Sequence, residues 1–249
     1  MMNPVNIFCL KWGDKYPSED VNKLYLMVKA NLKRPFKFYC ITEESKGLLE
    51  DVQVLPLYDE SLTGWWHKLS IYRKDFYGLE GTALFLDLDV VITSSLDELF
   101  DYQPGRTCSI EDRGGSKWNV INSSVVRFEI GELNYVWDGF LYNHEWVMQN
   151  MHGDQDWLGL VVPSVEKYPV NWVVSYKKDC HSKGWKSLGH VGEWLMKKGY
   201  LKPMGEAALP KNAKVVIFHG KPDPSDVVDQ PYKQWKKASW IRTFWNQKN

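Results

Sequence analysis

The chain reads as an α/β protein, one domain built on a mostly parallel central sheet with helices on both faces. Three observations predict this. The run Ala83-Leu84-Phe85-Leu86-Asp87-Leu88-Asp89-Val90-Val91-Ile92 is apolar apart from two carboxylates and is bracketed by Gly81 and Thr93-Ser94-Ser95, the pattern of a strand buried on both faces. Upstream of it the elements run strand, helix, strand, strand, helix, strand, the order that builds parallel sheets. Downstream, Lys214-Val215-Val216-Ile217-Phe218-His219-Gly220 is a second apolar strand that ends on a polar residue. No repeat, low-complexity tract or linker divides the 249 residues, so a single domain over 1–249 is expected.

The elements follow in order. Val5 to Leu10 predicts the first strand, with the loop Lys11-Trp12-Gly13-Asp14-Lys15-Tyr16-Pro17 at its carboxyl end. Ser18 to Leu32 predicts a helix, Ser18 as its N-cap and Val21, Leu24, Tyr25, Val28 and Leu32 along its apolar face. Phe36 to Ile41 and Val52 to Leu55 read as short strands, and Trp65 to Phe76 as a helix feeding the Asp-x-Asp strand. Thr107 to Glu111 and Ser123 to Phe128 are the next strands, joined by the polar, Gly-rich segment 112–117. A helix is predicted from Glu132 to Met148, a short one opening at Gly153-Asp154-Gln155-Asp156-Trp157-Leu158, and a strand from Trp172 to Tyr176. The stretch Lys178 to Pro210 shows no clear period and reads as an irregular loop with a short helix at Val191 to Lys198; Trp235 to Trp245 reads as a closing helix.

Composition narrows the function classes. Acids and bases balance at 31 each, which argues against a nucleic-acid groove or an anionic membrane as the main partner. No N-terminal stretch resembles a signal peptide and no segment approaches the ~20 apolar residues that span a bilayer, so a soluble, cytoplasmic protein is expected. Cys9, Cys40, Cys108 and Cys180 are far apart, the first three in strand-like runs, which reads as buried free thiols rather than a disulfide framework. Thirteen Trp, with Trp65-Trp66 adjacent, are compatible with stacking on sugar faces or with a Trp-rich core.

Two carboxylates in an apolar strand carry the chemistry. An ionised carboxylate is costly to bury without a compensating cation or donor, so Asp87 and Asp89 are expected at the strand's carboxyl end, where the sheet opens to solvent. Side chains alternate along a strand, which puts the two on one side with Cα atoms roughly 6.6 Å apart. At that separation they can converge on one hard divalent cation. Capping of the following turn is the other reading.

His219 ends the second apolar strand and precedes Gly220, which lets backbone approach a ligand closely. An imidazole joined to two carboxylates makes a mixed N/O set that suits Mn²⁺ better than Mg²⁺. Lys221 follows, placed either to neutralise a diphosphate leaving group or as a solvated loop lysine; Lys68 admits the same two readings. Asp154-Gln155-Asp156 is a second Asp-x-Asp without a preceding strand, suited to binding hydroxyls of a polar ligand or to capping a helix. Asn122-Ser123-Ser124 either lines a pocket or forms a turn.

Taken in order, these pieces resemble the metal-dependent glycosyltransferases of the GT-A fold, a Rossmann-like domain, especially the retaining, glycogenin-like and lipopolysaccharide-galactosyltransferase-like group. The resemblance runs through the first loop, Lys68, the Phe-Leu-Asp-Leu-Asp strand, Asn122-Ser123-Ser124, Asp154-Gln155-Asp156 and His219-Gly220-Lys221-Pro222. It implies transfer of a sugar, of hexosyl type, from a nucleoside diphosphate sugar to a carbohydrate or glycoconjugate acceptor. It implies Mn²⁺ (or Mg²⁺) held by Asp87, Asp89 and His219, donor phosphates on Lys221, donor on Lys68, and nucleoside on Lys11 and Trp12. Asn122, Asp154, Gln155 and Asp156 would surround the donor sugar, with Gln155 or Asp156 near the sugar face opposite the acceptor. The nucleotide-binding part would occupy about 1–111 and the sugar and acceptor part about 112–249. The chain departs from the glycogenin-like pattern in that His219, Gly220 and Lys221 are consecutive, and Asp223 adds a negative charge beside them.

Two other classes share some of these features. A haloacid-dehalogenase-like phosphatase also places Asp-x-Asp after an apolar strand, but there the pair lies on the first strand and His219 has no role. A non-catalytic sugar-binding protein would account for the tryptophans. Metal-dependent turnover of a nucleotide-sugar separates both from a transferase.

Overall fold

The structure is a computed structural model that describes residues 3–112, 121–184 and 189–245. In chain order its elements are β1 (Val5–Leu10), α1 (Ser18–Asn31), β2 (Phe36–Ile41), β3 (Val52–Leu55), two 3-10 segments (Gly64–Tyr72 and Phe76–Gly78), β4 (Thr82–Leu86), β5 (Val90–Ile92) and α2 (Asp97–Asp101). There follow β6 (Cys108–Ile110), β7 (Asn122–Glu129), α3 (Asn134–Asn150), α4 (Asp154–Val161), β8 (Glu166–Lys167), β9 (Val173–Ser175), α5 (Tyr176–Asp179), α6 (Gly189–Lys197), β10 (Val215–Ile217), α7 (Pro224–Val227) and α8 (Ile241–Trp245).

The chain divides into two compact units. The first comprises Met1–Tyr25, Leu32–Leu88 and Asp97–Tyr168; the second comprises Leu26–Asn31, Asp89–Leu96 and Pro169–Asn249. The first unit holds a seven-stranded sheet in the order β3-β2-β1-β4-β7-β6-β8. Its β3, β2, β1 and β4 run parallel, and β7 pairs antiparallel with both β4 and β6. Alternation sorts the side chains: Tyr39 and Ile41, Ala83 and Phe85, and Val126 and Phe128 enter one core with Leu69, Tyr72, Trp137 and Phe140. The intervening Ile7, Cys9, Leu84 and Leu86 are fully buried too, so the sheet is covered on both faces, as the α/β reading requires. The second unit holds a smaller sheet, β5-β10-β9, antiparallel on one side of β10 and parallel on the other.

The predicted bounds of β1, β2 and β3 coincide with the observed ones, and all four cysteines are buried free thiols. Other expectations need correction. The run 83–92 is two strands rather than one: β4 ends at Leu86, Leu88 and Asp89 form a turn, and β5 enters the other sheet. Two carboxylates cannot stay in the middle of a buried ladder, so the chain leaves the sheet where they occur. Strand alternation therefore does not relate Asp87 to Asp89.

The helix expected over Trp65 to Phe76 is two 3-10 segments, broken after Tyr72 where Arg73 takes an extended backbone (φ −60°, ψ 145°), and the second segment is itself distorted by a left-handed Tyr77 (φ 49°). In α1 the N-cap position belongs to Pro17, and Ser18 instead donates its hydroxyl to Lys46 O at 2.6 Å. The helix α3 starts and ends two residues later than expected and is kinked at Asn143. Strand β10 stops at Ile217, leaving His219 beyond it. Of the closing helix only Ile241–Trp245 forms, because Trp235 is held in bridges to Lys183 and Tyr232. The connection expected over 112–117 lies, past Asp112, outside the described residues.

Candidate functional site

In the first unit, sequence order reverses between β1 and β4: β1 is followed by β2 on one side, while β4 lies on the other. Parallel strands on either side of such a point leave a crevice beyond their carboxyl ends, where ligands of open α/β sheets bind. Lys11 and Trp12 leave β1 there, and Asp87 leaves β4, its N–H donating to Ser124 O at 3.0 Å. A cavity of about 620 Å³ opens at the carboxyl ends of β1, β2 and β3, lined by Trp12, Thr42, Glu43, Leu57, Leu62 and His67 among others. Gly13 N donates to Glu43 Oε1 at 2.5 Å, and buried Lys11 directs its ammonium to Gly13 O at 3.4 Å. Gly64, at φ +66°, lets the chain pass Trp12; a Cβ there would meet the indole at 3.5 Å.

The centre of this region is Lys68, whose side chain is only 3% exposed. Its ammonium donates to Asp87 Oδ1 at 3.1 Å, Ser123 O at 2.6 Å and Ser123 Oγ at 3.1 Å, and lies 4.2 Å from the centroid of the Phe85 ring. Those three acceptors use all three of its protons. Asp154 Oδ2 sits 3.4 Å away as an ion partner and is left without a hydrogen bond. Burial alone would lower the Lys68 pKa, but the carboxylates of Asp154 and Asp87 outweigh it and hold the pKa above the ordinary lysine value. Burial raises the Asp154 pKa against the pull of Lys68. The buried Tyr72 hydroxyl, also without a hydrogen-bond partner, is pushed well up by burial and by the same two carboxylates.

Neighbouring side chains extend the cluster. Asn122 Oδ1 accepts from Ser124 N at 3.0 Å, and Gln155 Oε1 accepts from Ser123 N at 3.2 Å. Asp154, Gln155 and Asp156 form the first turn of α4 behind an N-cap at Gly153. Asp156 accepts from His152 N at 3.1 Å, so this carboxylate satisfies backbone at the helix start. Lys68, Asp87, Asn122, Asp154 and Gln155 are thus brought together around Ser123. The cluster also depends on Ser123, read from the sequence only within Asn122-Ser123-Ser124, and His67, which no sequence pattern marked, lines the cavity.

The second unit holds the remaining residues. His219 Nε2 lies 2.8 Å from Ser175 Oγ. Lys177, which no sequence pattern marked, donates to His219 O at 2.6 Å and Gly220 O at 3.2 Å. Burial lowers the Lys177 pKa, opposed by the carboxylates of Asp89 and Asp223. Lys221 is engaged by Asp223 at 2.8 Å and Asp226 at 2.9 Å, and the Asp223 hydrogen bond leads in raising its pKa. Among the described residues, no three His, Cys, Asp or Glu side chains gather as a metal site. The donor types of Asp87, Asp89 and His219 nonetheless suit a hard divalent ion, with ligation by His219 Nε2 requiring release of Ser175.

The sheet order, its crevice and the accompanying small sheet define a GT-A fold. No protein-family model matches the sequence, and neither does any curated protein. Solved structures do match it. The galactosyltransferase LgtC, solved with donor and acceptor sugar analogs, is 15% identical over 88% of each chain with a TM-score of 0.56. The glycosyltransferase GlyE of Streptococcus pneumoniae TIGR4 is 13% identical over 98% of this chain and 60% of its own, with a TM-score of 0.59. The bifunctional WbbM is 12% identical over 97% of this chain and 49% of its own, with a TM-score of 0.60.

Proposed function

We propose that the protein is a glycosyltransferase that moves a sugar from a nucleoside diphosphate donor to a carbohydrate or glycoconjugate acceptor. The observation that carries this reading is the Lys68 cluster: a buried ammonium joins the carboxylate at the end of β4 to the first turn of α4, beside a cavity at the carboxyl edge of the sheet. The GT-A fold shared with three glycosyltransferases supports it. Residues 1–111 would serve the nucleotide, with Lys11 and Trp12 at the nucleoside, and residues 112–249 the sugar and acceptor.

Asp87, Asp89 and His219 would hold a divalent ion, Mn²⁺ by donor type, and when bound it would neutralise charge on the departing diphosphate. Lys68 would fix the Asp87 carboxylate, and its saturated ammonium makes it a positioning residue. Asp154, whose Oδ2 is ion-paired with Lys68 but accepts no hydrogen bond, would take a sugar hydroxyl as its donor, and Gln155, Asp156 and Asn122 would complete the wall around the donor sugar. Lys221 would reach the phosphates only by leaving Asp223 and Asp226. We read the reaction as retaining, with a donor phosphate oxygen taking the acceptor's proton and no covalent nucleophile.

A panel of nucleoside diphosphate sugars, each with and without Mn²⁺, tests the reading by thermal stabilisation and by release of nucleoside diphosphate. A donor at about a hundred times its Kd raises stability by roughly 2.7 kcal/mol, an upward shift of roughly 5–10 °C at this chain length. Asp89→Asn is expected to keep the unliganded melting temperature and lose Mn²⁺-dependent turnover. Full turnover in that variant removes the metal assignment; stabilisation without turnover makes the protein a binder.

A further inference from the structure

The second unit carries an exposed apolar face that includes none of the individual residues assigned to the metal, donor or sugar. Helix α6 turns Gly192 and Met196 inward, while Val191 is 71% and Trp194 53% exposed. Gly199, at φ +82°, ends the helix, and the chain beyond it leaves Tyr200 72% and Met204 73% exposed. The Trp194 and Tyr200 rings lie 6.1 Å apart, so the helix and the turn present one continuous surface. Large exposed apolar patches on soluble folds mark interaction sites.

The charge around the patch selects its occupant. Lys197, Lys198 and Lys202 border it and are exposed, against Glu193 as the acidic residue of the helix. Glu193 is itself held by Lys197 at 3.3 Å and Lys183 at 3.8 Å. Glu206, two residues past Met204, is held by Lys237 at 3.1 Å, so a chain with no net charge overall places more lysines than carboxylates beside the exposed Trp, Tyr and Val. A second copy docked through the same face would set these lysines against one another. An anionic bilayer satisfies both halves: tryptophan and tyrosine settle at the headgroup level, aliphatic side chains enter the acyl boundary, and lysines meet lipid phosphates. Among the described residues no helix is long and apolar enough to cross a membrane, so contact would be with the surface.

We infer that α6 and the turn after it form an interfacial anchor by which the protein binds anionic lipid bilayers. The inference stands independently of the proposed transfer reaction.

Sedimentation with vesicles tests it, using an equal mixture of phosphatidylglycerol and phosphatidylcholine against phosphatidylcholine alone. Binding is expected to the anionic vesicles and to weaken on raising salt from 0.1 M to 1 M. Each lysine near an anionic surface is worth about fivefold in affinity, so Lys198→Gln with Lys202→Gln should weaken binding by about 25-fold. Trp194→Ser should weaken it by about tenfold or more. Both changes are at exposed positions, and unchanged melting temperatures would show that the fold survives. Equal binding to neutral and anionic vesicles, absence of binding, or binding indifferent to these substitutions would overturn the inference. So would a concentration-dependent dimer in light scattering that Trp194→Ser dissolves.

Discussion

Replacing Lys68 with Met removes one buried charge and leaves its partners in unequal positions. The Asp87 side chain is 34% exposed and regains water; the Asp154 side chain is 9% exposed and cannot. Ser123 loses a donor to its carbonyl and another to its hydroxyl. Breaking a buried pair by removing one partner costs about 3–5 kcal/mol, and the expected loss lies in that range, a drop of about 10 °C in Tm for a chain of this size. The pH dependence supplies a second readout. Burial already raises the Asp154 pKa and Lys68 opposes that rise, so without Lys68 the folded carboxyl binds a proton that the unfolded chain, near the usual ~3.9, does not. A group with a raised folded pKa favours folding below that pKa and ceases to as pH rises through it, so the deficit of Lys68→Met should shrink between pH 8 and pH 5. Urea unfolding followed by circular dichroism measures both. Lys68→Met with Asp154→Asn should lose less than the sum of the single changes, by more than about 1.5 kcal/mol. A variant within about 1 kcal/mol of wild type, or a deficit that grows on acidification, would refute the account of the cluster.

Two further outcomes follow from buried groups in the first unit. Arg127 is 1% exposed and donates to the carbonyls of Leu99, Phe100, Tyr102, Gln103 and Arg106. Arg127→Leu should cost more than about 4 kcal/mol by orphaning those acceptors, with Arg127→Lys intermediate; equal urea midpoints for all three proteins would contradict this. His67 Nδ1 is buried without a hydrogen-bond partner, and burial lowers its pKa against the pull of Glu43 and Asp59. The unfolded imidazole takes its proton near ~6.5 while the folded one resists, so stability should fall as pH drops below that value, and less steeply in His67→Phe. An unchanged slope between pH 7.5 and 5.5 would show that His67 does not contribute.

What was legible in the sequence follows from the range of each signal. β1, β2 and β3 have the predicted bounds because each is a short apolar run closed by a local break, such as Lys11-Trp12-Gly13 after β1. The stretch 83–92 misled because apolar pattern measures burial, and Leu84 and Val91 are equally buried in different sheets. No Gly, Pro or Asn marks the turn between them; the carboxylates themselves make it. The helix expected at Trp65–Phe76 failed because a nearly continuous buried run does not distinguish a three-residue from a 3.6-residue period. The Lys68 cluster was visible only as separate candidates, since its partners lie 19, 55 and 86 positions along the chain. The engagement of His219 by Ser175, and of its carbonyl by Lys177, had no local signal at all.

Two buried cations of the first unit, Arg127 and Lys68, differ in what surrounds them. Arg127 is enclosed by neutral groups, its two terminal nitrogens donating to five carbonyls and to Cys108 Sγ at 3.0 Å. A cation solved this way holds the turn after α2 against β7 and needs no ligand. Lys68 instead sits between two carboxylates as well as Ser123, with Asp87 partly exposed at the end of β4 and Asp154 buried and ion-paired with it at 3.4 Å. What distinguishes Lys68 from Arg127 is the carboxylate beside it: a change at either cation costs stability, but Lys68 is paired with an Asp87 side chain that is 34% exposed, whereas the Arg127 acceptors are backbone carbonyls.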